Sequence, residues 1–444
     1  MKVLFISLGC DKNLVDTEEM MGILGDSGFS YTNDETEADV IIVNSCCFIG
    51  DAKEESINTI IEMAACKTDY VCKALIVTGC LAQRYKDEIL KEIPEVDGIL
   101  GTANYDSIYE LVCQCIDKNT KKQEKDLFDL QRLPKLTRRV VTTGGYYAHL
   151  KIADGCNKNC TYCIIPKVRG RYRSFPIEEL VEQATQLANN GTKELILVAQ
   201  ETTLYGIDLY GEKSLHKLLR ELCKINGIKF IRIMYCYPEE IYDELIQTIK
   251  EEPKICHYLD IPIQHANDEI LKKMGRKTNK KDLIEIISKL RKDIPDIALR
   301  TTLIAGFPGE TDEQHEELLD FVDQMEFDRL GVFGYSAEEG TAAALMDNQI
   351  DEEVKLDRRD AIMELQQEIA FEKSEKMIGQ EVIAIIDGKL PNENAYVART
   401  YMDAPEIDGS IFINSDYDFM SGDIVKVKVT GSFQYDLIGE LIEN

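Results

Sequence analysis

The chain has 444 residues, of which 44% are hydrophobic, and its 80 Asp and Glu against 51 Lys and Arg give a formal net charge of −29. This length favours about three domains. No apolar run approaches the ~20 residues of a membrane span, which excludes a membrane-spanning protein. So acidic a chain is poorly suited to hold nucleic acid on a large face, because that affinity comes from Lys and Arg. The charge favours a basic partner, although solubility alone explains part of it.

The segment Met1–Gly9 has the pattern of a buried strand entering a turn and lacks a signal-peptide cleavage site, so we expect a cytoplasmic protein. The chain contains fourteen cysteines. They do not form the dense framework of a small disulfide-rich domain, and in the cytoplasm such cysteines favour metal binding or redox chemistry.

Residues 1–118 alternate short apolar runs with amphipathic segments, which predicts a doubly wound parallel sheet with helices on both faces. The expected strands are Val3–Leu8, Val40–Asn44, Leu75–Thr78 and Gly98–Leu100, with helices at about 14–27, 53–66, 83–92 and 105–117. Cys10, Cys46 and Cys80 follow the first three strands. Because strand-to-helix turns of a parallel sheet lie at one edge, where ligands bind, we expect these thiols to converge. Cys47 is a spare candidate ligand beside Cys46, and we expect the remaining cysteines of this region to be packing or peripheral thiols.

Residues 119–140 are polar, charged and without clear periodicity, which indicates a linker or edge segment. From 141 to about 345 the strand–helix alternation resumes with longer units. It predicts a partial TIM-type (β/α)6 barrel, with its chemistry at the carboxyl ends of the strands. The expected strands are Ala148–Ala153, Leu195–Val198, Phe230–Tyr235, Tyr258–Ile263, Leu299–Ala305 and Leu330–Tyr335, with helices that include 177–190, 239–251, 280–292 and 311–325.

Directly after the first of these strands, Cys156, Cys160 and Cys163 stand at C-x-x-x-C-x-x-C spacing. One short loop can wrap three thiolates of this spacing around a single cluster. Since no further Cys follows within the next fifty residues, a 4Fe–4S cube held here keeps one iron open to a small molecule, unlike an ordinary four-cysteine cluster. Structural zinc, with His149 as a nearby partner, and inert buried thiols are the alternatives.

This motif, with Tyr162 before the last Cys, resembles that of the radical S-adenosylmethionine (radical SAM) superfamily. The resemblance implies that S-adenosylmethionine chelates the open iron and is cleaved by one electron to a 5′-deoxyadenosyl radical. We expect cofactor contacts from Tyr162 and from the ends of the second and fifth strands, which resemble the superfamily's contacts there: Gln200, Glu201, Thr202, Ile304, Gly306, Pro308 and Gly309. The glycines would let the backbone approach a flat adenine. Taken alone, the Gly306–Glu310 stretch is an ordinary turn before a helix.

The stretch Lys167–Arg173 carries four basic residues directly after the cysteine loop. It is either a solvated charged face or a set of cations that neutralise carboxylates of cofactor or substrate. His257 and His265 flank the fourth strand without an obvious partner, so we expect both to be structural.

Residues 351–376 are polar with apolar residues at helical spacing, which predicts a long connecting helix. After it the apolar period changes to two, in Val382–Ile386, Ser410–Ile413 and Ile424–Val429, with glycines between, which predicts a small all-β barrel. Residues 377–444 hold four Lys and Arg against twelve Asp and Glu, a net charge of −8.

With its three parts taken together, the whole chain resembles the methylthiotransferases of the radical SAM superfamily. That family has an N-terminal domain with three cysteines, a radical SAM barrel and a small β domain called TRAM, here 1–118, 141–374 and 377–443. The stretches Gly9–Asp16, Gln264–Leu271 and Asp403–Gly409 resemble its ribosomal-protein branch, whereas the tRNA-modifying branch usually has Gln-Met-Asn after its first Cys. Cys47 stands where the family commonly has Gly, so an effect on the second site stays open.

The resemblance implies methylthiolation of the β-carbon of an aspartate in small-subunit ribosomal protein twelve, using two molecules of S-adenosylmethionine. Cys156, Cys160 and Cys163 would hold the radical-generating 4Fe–4S cluster. Cys10, Cys46 and Cys80 would hold an auxiliary 4Fe–4S cluster, and the two trios would face one another across a shared cavity. An external electron donor is implied, with no membrane and no direct nucleic-acid readout. A tRNA adenosine methylthiotransferase and a non-catalytic metal-binding scaffold are the alternatives.

Overall fold

The computed structural model describes residues 1–117, 127–391 and 393–442. Its strands are β1 (Lys2–Ser7), β2 (Ser30–Tyr31), β3 (Val40–Ser45), β4 (Ala74–Gly79), β5 (Val96–Leu100), β6 (Tyr147–Lys151), β7 (Ala153–Asp154), β8 (Arg173–Ser174), β9 (Glu194–Val198), β10 (Phe230–Ile233), β11 (Ile255–Asp260), β12 (Ala298–Ala305), β13 (Arg329–Gly334), β14 (Glu381–Lys389), β15 (Ala395–Thr400), β16 (Ile411–Asn414), β17 (Ile424–Phe433) and β18 (Asp436–Leu441). Its α-helices are α1 (Asp11–Asp26), α2 (Gly50–Asp69), α3 (Cys80–Arg84), α4 (Lys86–Glu92), α5 (Ile108–Ile116), α6 (Ile165–Arg169), α7 (Ile177–Asn189), α8 (Ile207–Tyr210), α9 (Leu215–Cys223), α10 (Asp243–Glu251), α11 (Asp268–Lys273), α12 (Lys280–Asp293), α13 (Asp312–Met325) and α14 (Glu352–Lys376). Within these ranges, no helix combines the length and apolar character needed to cross a bilayer.

The N-terminal domain is built on a parallel sheet of strand order β2-β1-β3-β4-β5, as the strand–helix alternation predicts. The order reverses at β1, because β2 lies on one side of it and β3 on the other. The carboxyl ends are in register, with Ser7 opposite Asn44 and Ser45 opposite Gly79. The turns after β1, β3 and β4 therefore begin side by side. The two-residue edge strand β2 was not predicted, because it is too short to carry a period.

The central domain is an open sheet of six parallel strands in the order β6-β9-β10-β11-β12-β13, which confirms the predicted partial barrel. Its outer face packs against α7, α9, α10, α12 and α13 through one large apolar core. The first strand is shorter than the predicted Ala148–Ala153, since the chain leaves the sheet at Ile152. It then forms β7, which pairs with β8 in a two-stranded hairpin and so brings together the two ends of the cysteine loop.

The long helix α14 leads into a closed barrel of strand order β14-β15-β16-β18-β17, which confirms the predicted small β domain. The sequence pattern identified three of these strands and missed β15 and β18. In β18, Gly439 interrupts the apolar alternation, because a side chain there would collide with Val427 of the neighbouring strand.

This C-terminal barrel packs across the amino ends of the central strands. Glu194, at the start of β9, accepts from Arg399 at 2.9 Å and from Arg232 at 3.0 Å, and all three side chains are buried. The Arg232 guanidinium also donates to the carbonyl of Tyr401 at 2.6 Å. The cysteine loop follows the carboxyl end of the sheet, so the C-terminal domain lies at the opposite end of the barrel.

The segment that joins the first two domains is only partly covered by the described residues. Residues 119–126 of the predicted linker lie outside the described residues. The following residues run along α1, where the backbone N–H groups of Thr137 and Thr142 donate to the carboxylates of Glu19 and Glu18 at 2.8 and 2.7 Å. Arg139 adds a buried ion pair to Glu18 at 2.9 Å. This part of the predicted linker therefore fixes the N-terminal domain to the barrel.

The Arg399–Glu194 pair provides a test of how the C-terminal domain is held. We expect Arg399→Met to lower the free energy of unfolding by roughly 3–5 kcal/mol, because it leaves a buried carboxylate short of a partner. Urea denaturation followed by circular dichroism measures the change. The control is Lys426→Met, whose ion pair with Glu381 has both side chains about half exposed; its loss should cost at most about 1 kcal/mol. Equal losses for the two variants would contradict this account.

Candidate metal centres

The loop that carries Cys156, Cys160 and Cys163 lies between β7 and α6. Its ends are tied by a hydrogen bond from the Cys156 N–H to the Gly170 carbonyl at 3.1 Å. Gly155, which precedes the first cysteine, has a positive φ of 78°, and a side chain there would collide with the Arg171 carbonyl. Glycine is therefore required where the chain turns into the loop.

The interior of this loop turns its three thiols toward one region. The Cys163 N–H donates to the Cys160 carbonyl at 3.1 Å, and the Thr161 N–H donates to the Met274 carbonyl at 2.9 Å, which docks the loop on the end of α11. Burial raises the pKa of Cys156 to about 11 and that of Cys163 to about 12. A metal that binds these thiols must therefore displace their protons.

The structure brings Cys10, Cys46 and Cys80 together at the carboxyl edge of the N-terminal sheet. A Cβ on Gly9 would lie only 2.7 Å from the Cys46 Sγ, and a Cβ on Gly79 would collide with the Ser45 carbonyl. Two glycines that each precede a cysteine therefore permit the close approach of the three turns. Burial raises the pKa of Cys46 and Cys80.

Asn13 fastens these turns to one another. Its Nδ2 donates to the carbonyls of Leu8 and Ser45 at 2.9 and 3.1 Å, and its Oδ1 lies 4.0 Å from the Cys80 Sγ. One side chain thus contacts the turn after β1, the end of β3 and the cysteine after β4.

The spare thiol Cys47 is buried in the apolar cluster that also contains Cys66, Cys72 and Cys80. Burial raises the pKa of Cys47 to about 11, although the adjacent Arg84 opposes this effect. Arg84 in turn pairs with Glu338 of the barrel domain at 3.0 Å. Cys47 therefore lies beside an interdomain ion pair as well as beside the trio.

The two donor sets consist of cysteine thiols, which are the usual ligands of an iron–sulfur cluster. Among the residues that the structure describes, no group of three or more His, Cys, Asp and Glu side chains is placed to hold one metal ion. His149, the partner considered for zinc, faces Asp11 and Arg139 instead, and burial lowers its pKa.

Arg169 lies between the two trios. Its guanidinium contacts Asp16 of the N-terminal domain at 3.0 Å and Asp154, two residues before Cys156, at 3.3 Å, and it also donates to Asn13. Burial alone would raise the pKa of Asp154, but Arg169 and Lys151 outweigh it and lower that pKa to about 2. Where the sequence predicts a cavity shared by the two trios, the structure has a buried cluster of charged side chains around Arg169. Within the basic stretch, Arg169 thus neutralises carboxylates of the protein itself, whereas Lys167 and Arg173 donate to backbone carbonyls.

At the end of the second barrel strand, Glu201 has a free hydrogen-bond acceptor. One carboxylate oxygen accepts from the Thr203 N–H at 3.1 Å, whereas the buried Oε2 has no hydrogen-bond partner among the described residues, and neither has the Oε1 of Gln200. Burial raises the pKa of Glu201 to about 8. These oxygens suit the amino group of a ligand. The Thr202 hydroxyl instead donates to the Met234 carbonyl at 2.7 Å, so it is engaged in holding the barrel.

The turn after the fifth strand is shaped by protein contacts. The N–H groups of Gly306 and Phe307 donate to Glu310 Oε2 at 3.0 and 3.2 Å. A side chain on Gly306 would collide with Lys355 of α14, so the approach of this helix already explains the glycine that was expected to face adenine. Gly309 has a φ of 73°, and its N–H donates to the Asn348 carbonyl at 2.9 Å.

The cysteine loop and the fifth-strand turn meet in one apolar cluster. Tyr162 and Ile304 both pack against the core that contains Phe307 and Tyr335, and Pro308 is buried in the same turn. The structure therefore brings the predicted residues of the two segments together. His265 is also buried here, with its Nε2 3.5 Å from Glu310.

Two residues beside Cys160 were not predicted. The Tyr237 hydroxyl lies 3.9 Å from the Cys160 Sγ, and the Arg276 guanidinium stacks over the Tyr237 ring at 4.3 Å. The buried Nε of Arg276 has no hydrogen-bond partner within the described ranges. Tyr237 follows the third barrel strand, so the rule that identified Glu201 after the second strand also points to it. Arg276 follows the short helix α11 and has no local signal.

Comparison with known protein families divides the chain in the same way. The family model for the radical SAM superfamily matches residues 150–322, that for uncharacterized protein family UPF0004 matches residues 2–101, and that for the TRAM domain matches residues 378–442. The two cysteine trios therefore fall in two different family matches.

Relatives that match over nearly the full length show which family the chain belongs to. The chain is 61% identical over 439 residues, 99% of each chain, to the ribosomal protein uS12 methylthiotransferase RimO of Lachnoclostridium phytofermentans. It is 50% identical over 440 residues, 99% of this chain and 97% of the relative, to the RimO of Clostridium botulinum. The chain belongs to the RimO family. Among solved structures, the radical S-adenosylmethionine methyltransferase TsrM from Kitasatospora setae shares its fold, with a TM-score of 0.55 at 15% identity over 75% of this chain and 74% of TsrM.

The raised pKa of Glu201 leads to a prediction for the cofactor-free form of this RimO-family chain. Glu201 holds its proton more tightly when folded, so the stability tied to that proton is present below its ordinary pKa of 4.5 and is lost as pH rises to about 8. We expect Glu201→Gln to be more stable than the wild type by a margin that grows over this range, by at most about 1.4 kcal/mol per pH unit. Urea unfolding at about pH 5 and about pH 8 measures it. The exposed Glu178→Gln is the control, and a margin independent of pH would refute the assignment.

Proposed function

We propose that this chain transfers a methylthio group to the β-carbon of an aspartate in ribosomal protein uS12. The identity of 61% over the full length of a relative that bears this activity in its name carries the proposal. The site supports it chemically, since two separate thiol trios lie on either side of Arg169.

We assign the ligands as follows. Cys156, Cys160 and Cys163 would hold the radical-generating 4Fe–4S cluster, and Cys10, Cys46 and Cys80 would hold the auxiliary 4Fe–4S cluster. S-adenosylmethionine would lie against the loop and strand ends at Tyr162, Gln200, Glu201, Thr202, Ile304, Gly306, Pro308 and Gly309. The Thr202 hydroxyl contacts the Met234 carbonyl, and Gly306 packs against Lys355. These two residues would therefore line the cofactor site with their backbone.

The bound cofactors would supply the methyl group and the one-electron chemistry, for which an external electron donor is needed. Such chemistry is required because the β C–H of an aspartate is not acidic enough for any side-chain base. The chain itself orients the bound cofactors and shields them from solvent. The unpartnered Glu201 oxygen would accept from the amino group of S-adenosylmethionine, and Arg169 keeps Asp154 ionised beside the cysteine loop.

Charge favours a basic protein substrate over tRNA. The chain has a net charge of −29, and residues 377–444 contribute −8 of it. A surface of this sign attracts a basic ribosomal protein and repels an RNA backbone, so we propose no direct nucleic-acid readout. We place the reaction in the cytoplasm and assign it to three domains, 1–118, 141–374 and 377–443.

Cysteine variants separate the two sites and exclude a passive metal-binding scaffold. After anaerobic reconstitution with iron and sulfide, we expect Cys160→Ala to form no 5′-deoxyadenosine. Cys46→Ala should still form it but transfer no methylthio group. Iron content and product mass provide the measurements, with Cys113→Ala, an exposed thiol outside both trios, as the control. Methylthio product from the Cys46 variant would show that the auxiliary ligands are misassigned.

The proposed substrate is tested in cells. Deletion of the gene should remove one methylthio group from an aspartate of uS12, as measured by mass spectrometry of ribosomal proteins, and a plasmid copy should restore it. The result that would favour the tRNA reaction is loss of methylthio-adenosine from tRNA while the uS12 aspartate stays modified.

A further inference from the structure

Lys12 is a buried cation that has no carboxylate within hydrogen-bond distance among the described residues. It lies two residues after Cys10, and its side chain is only 7% exposed. Its Nζ lies 3.4 Å from the centroid of the Tyr235 ring. In the part of the chain that the structure describes, the one carboxylate within ion-pair distance is that of Asp11, at 3.9 Å, which is too long for a hydrogen bond.

Other buried lysines of the chain are differently placed. The Lys158 ammonium contacts two carboxylates, those of Glu239 at 3.1 Å and Glu240 at 2.5 Å. Lys151 is held by Asp16 and Asp154. An ammonium carries three donors, and burying it without hydrogen-bonded partners is costly. The Lys12 ammonium interacts with the Tyr235 side chain and, at longer range, with Asp11, which leaves some of its three donors available for an additional anion.

The ring beneath Lys12 is held rigidly. Tyr235 has a φ of 59°, which an aromatic residue adopts only when its surroundings impose it. Its N–H donates to the Asp260 carboxylate at 3.1 Å, and its carbonyl accepts from the Thr202 N–H at 3.1 Å. Its hydroxyl donates to the Asp11 carboxylate at 3.0 Å, so this carboxylate is shared between Tyr235 and Lys12.

These contacts place Lys12 where the two domains meet. Cys10 and Lys12 belong to the turn and first residues after β1, whereas Tyr235 follows the carboxyl end of β10, the end of the sheet that also carries Glu201. The cation thus faces the barrel from the side of the auxiliary cysteines. A substrate carbon that receives sulfur at those cysteines has to come close to it.

We propose that Lys12 binds the side-chain carboxylate of the target aspartate and so selects aspartate over asparagine; this inference rests on the proposed function. An ammonium–carboxylate hydrogen bond is charge-assisted. Asparagine in the same position leaves the buried cation unpaired, which penalises binding more than the lost contact alone. The β-carbon is bonded directly to the carboxylate carbon, so anchoring the carboxylate also fixes the C–H that reacts.

The test compares two peptides that span the modified segment of uS12, one with the target aspartate and one with asparagine there. Their affinities for the reconstituted holoenzyme are measured by fluorescence anisotropy. We expect the wild type to prefer the aspartate peptide about tenfold or more, and Lys12→Met and Lys12→Gln to lose this preference. Because both peptides are measured on one preparation, partial loss of folded protein cancels from the ratio. The control is Lys167→Met, which removes a cation whose Nζ donates to the Gly340 carbonyl, and it should keep the preference.

The outcomes distinguish this inference from the proposed function. If the wild type methylthiolates the aspartate peptide but the Lys12 variants keep its preference, Lys12 is not the carboxylate ligand and the function stands. If the wild type neither binds nor modifies the aspartate peptide, both the function and this inference fail. Loss of preference in the Lys12 variants with an unchanged electron paramagnetic resonance signal of the clusters supports the inference.

Discussion

The structure depends on one buried cation, the guanidinium of Arg169. It joins Asp16 on the first helix of the N-terminal domain to Asp154 at the entry of the cysteine loop, and it reaches Asn13 beside Cys80. All of these side chains are buried, so removing any partner would leave an uncompensated charge or donor. The interaction therefore fixes the relation between two cysteine sets that lie in different domains.

The C-terminal barrel occupies the other end of the molecule. Its buried pairs with Glu194 and Arg232 cover the amino ends of the central strands, whereas the cysteines, Glu201 and Tyr235 lie at or beyond the carboxyl ends. The acidic charge of this domain can attract a basic partner over a distance. On the proposed function, discrimination at the reacting carbon would fall to residues of the first two domains, where Lys12 lies.

Sequence reasoning located the parts of the site that follow from topology. Cys10, Cys46 and Cys80 lie far apart in the chain, yet each follows a parallel strand, and this placement alone predicts that they meet. The contacts that give these residues their chemistry had no such signal. The hydroxyl of Tyr235 meets Asp11 across 224 positions of the chain, and the glycine at 306 is explained by a helix that begins almost fifty residues later. Such contacts arise from the packing of whole domains, which no local period encodes.

The central claim is that both cysteine sets hold clusters at close range in one molecule, and magnetic resonance tests it directly. The electron paramagnetic resonance spectrum of the fully reduced, reconstituted protein is compared with the summed spectra of Cys46→Ala and Cys160→Ala, each of which keeps one cluster. Interacting clusters predict a broadened spectrum that differs from the sum. A spectrum equal to the sum, or equal to that of one variant alone, would contradict the account.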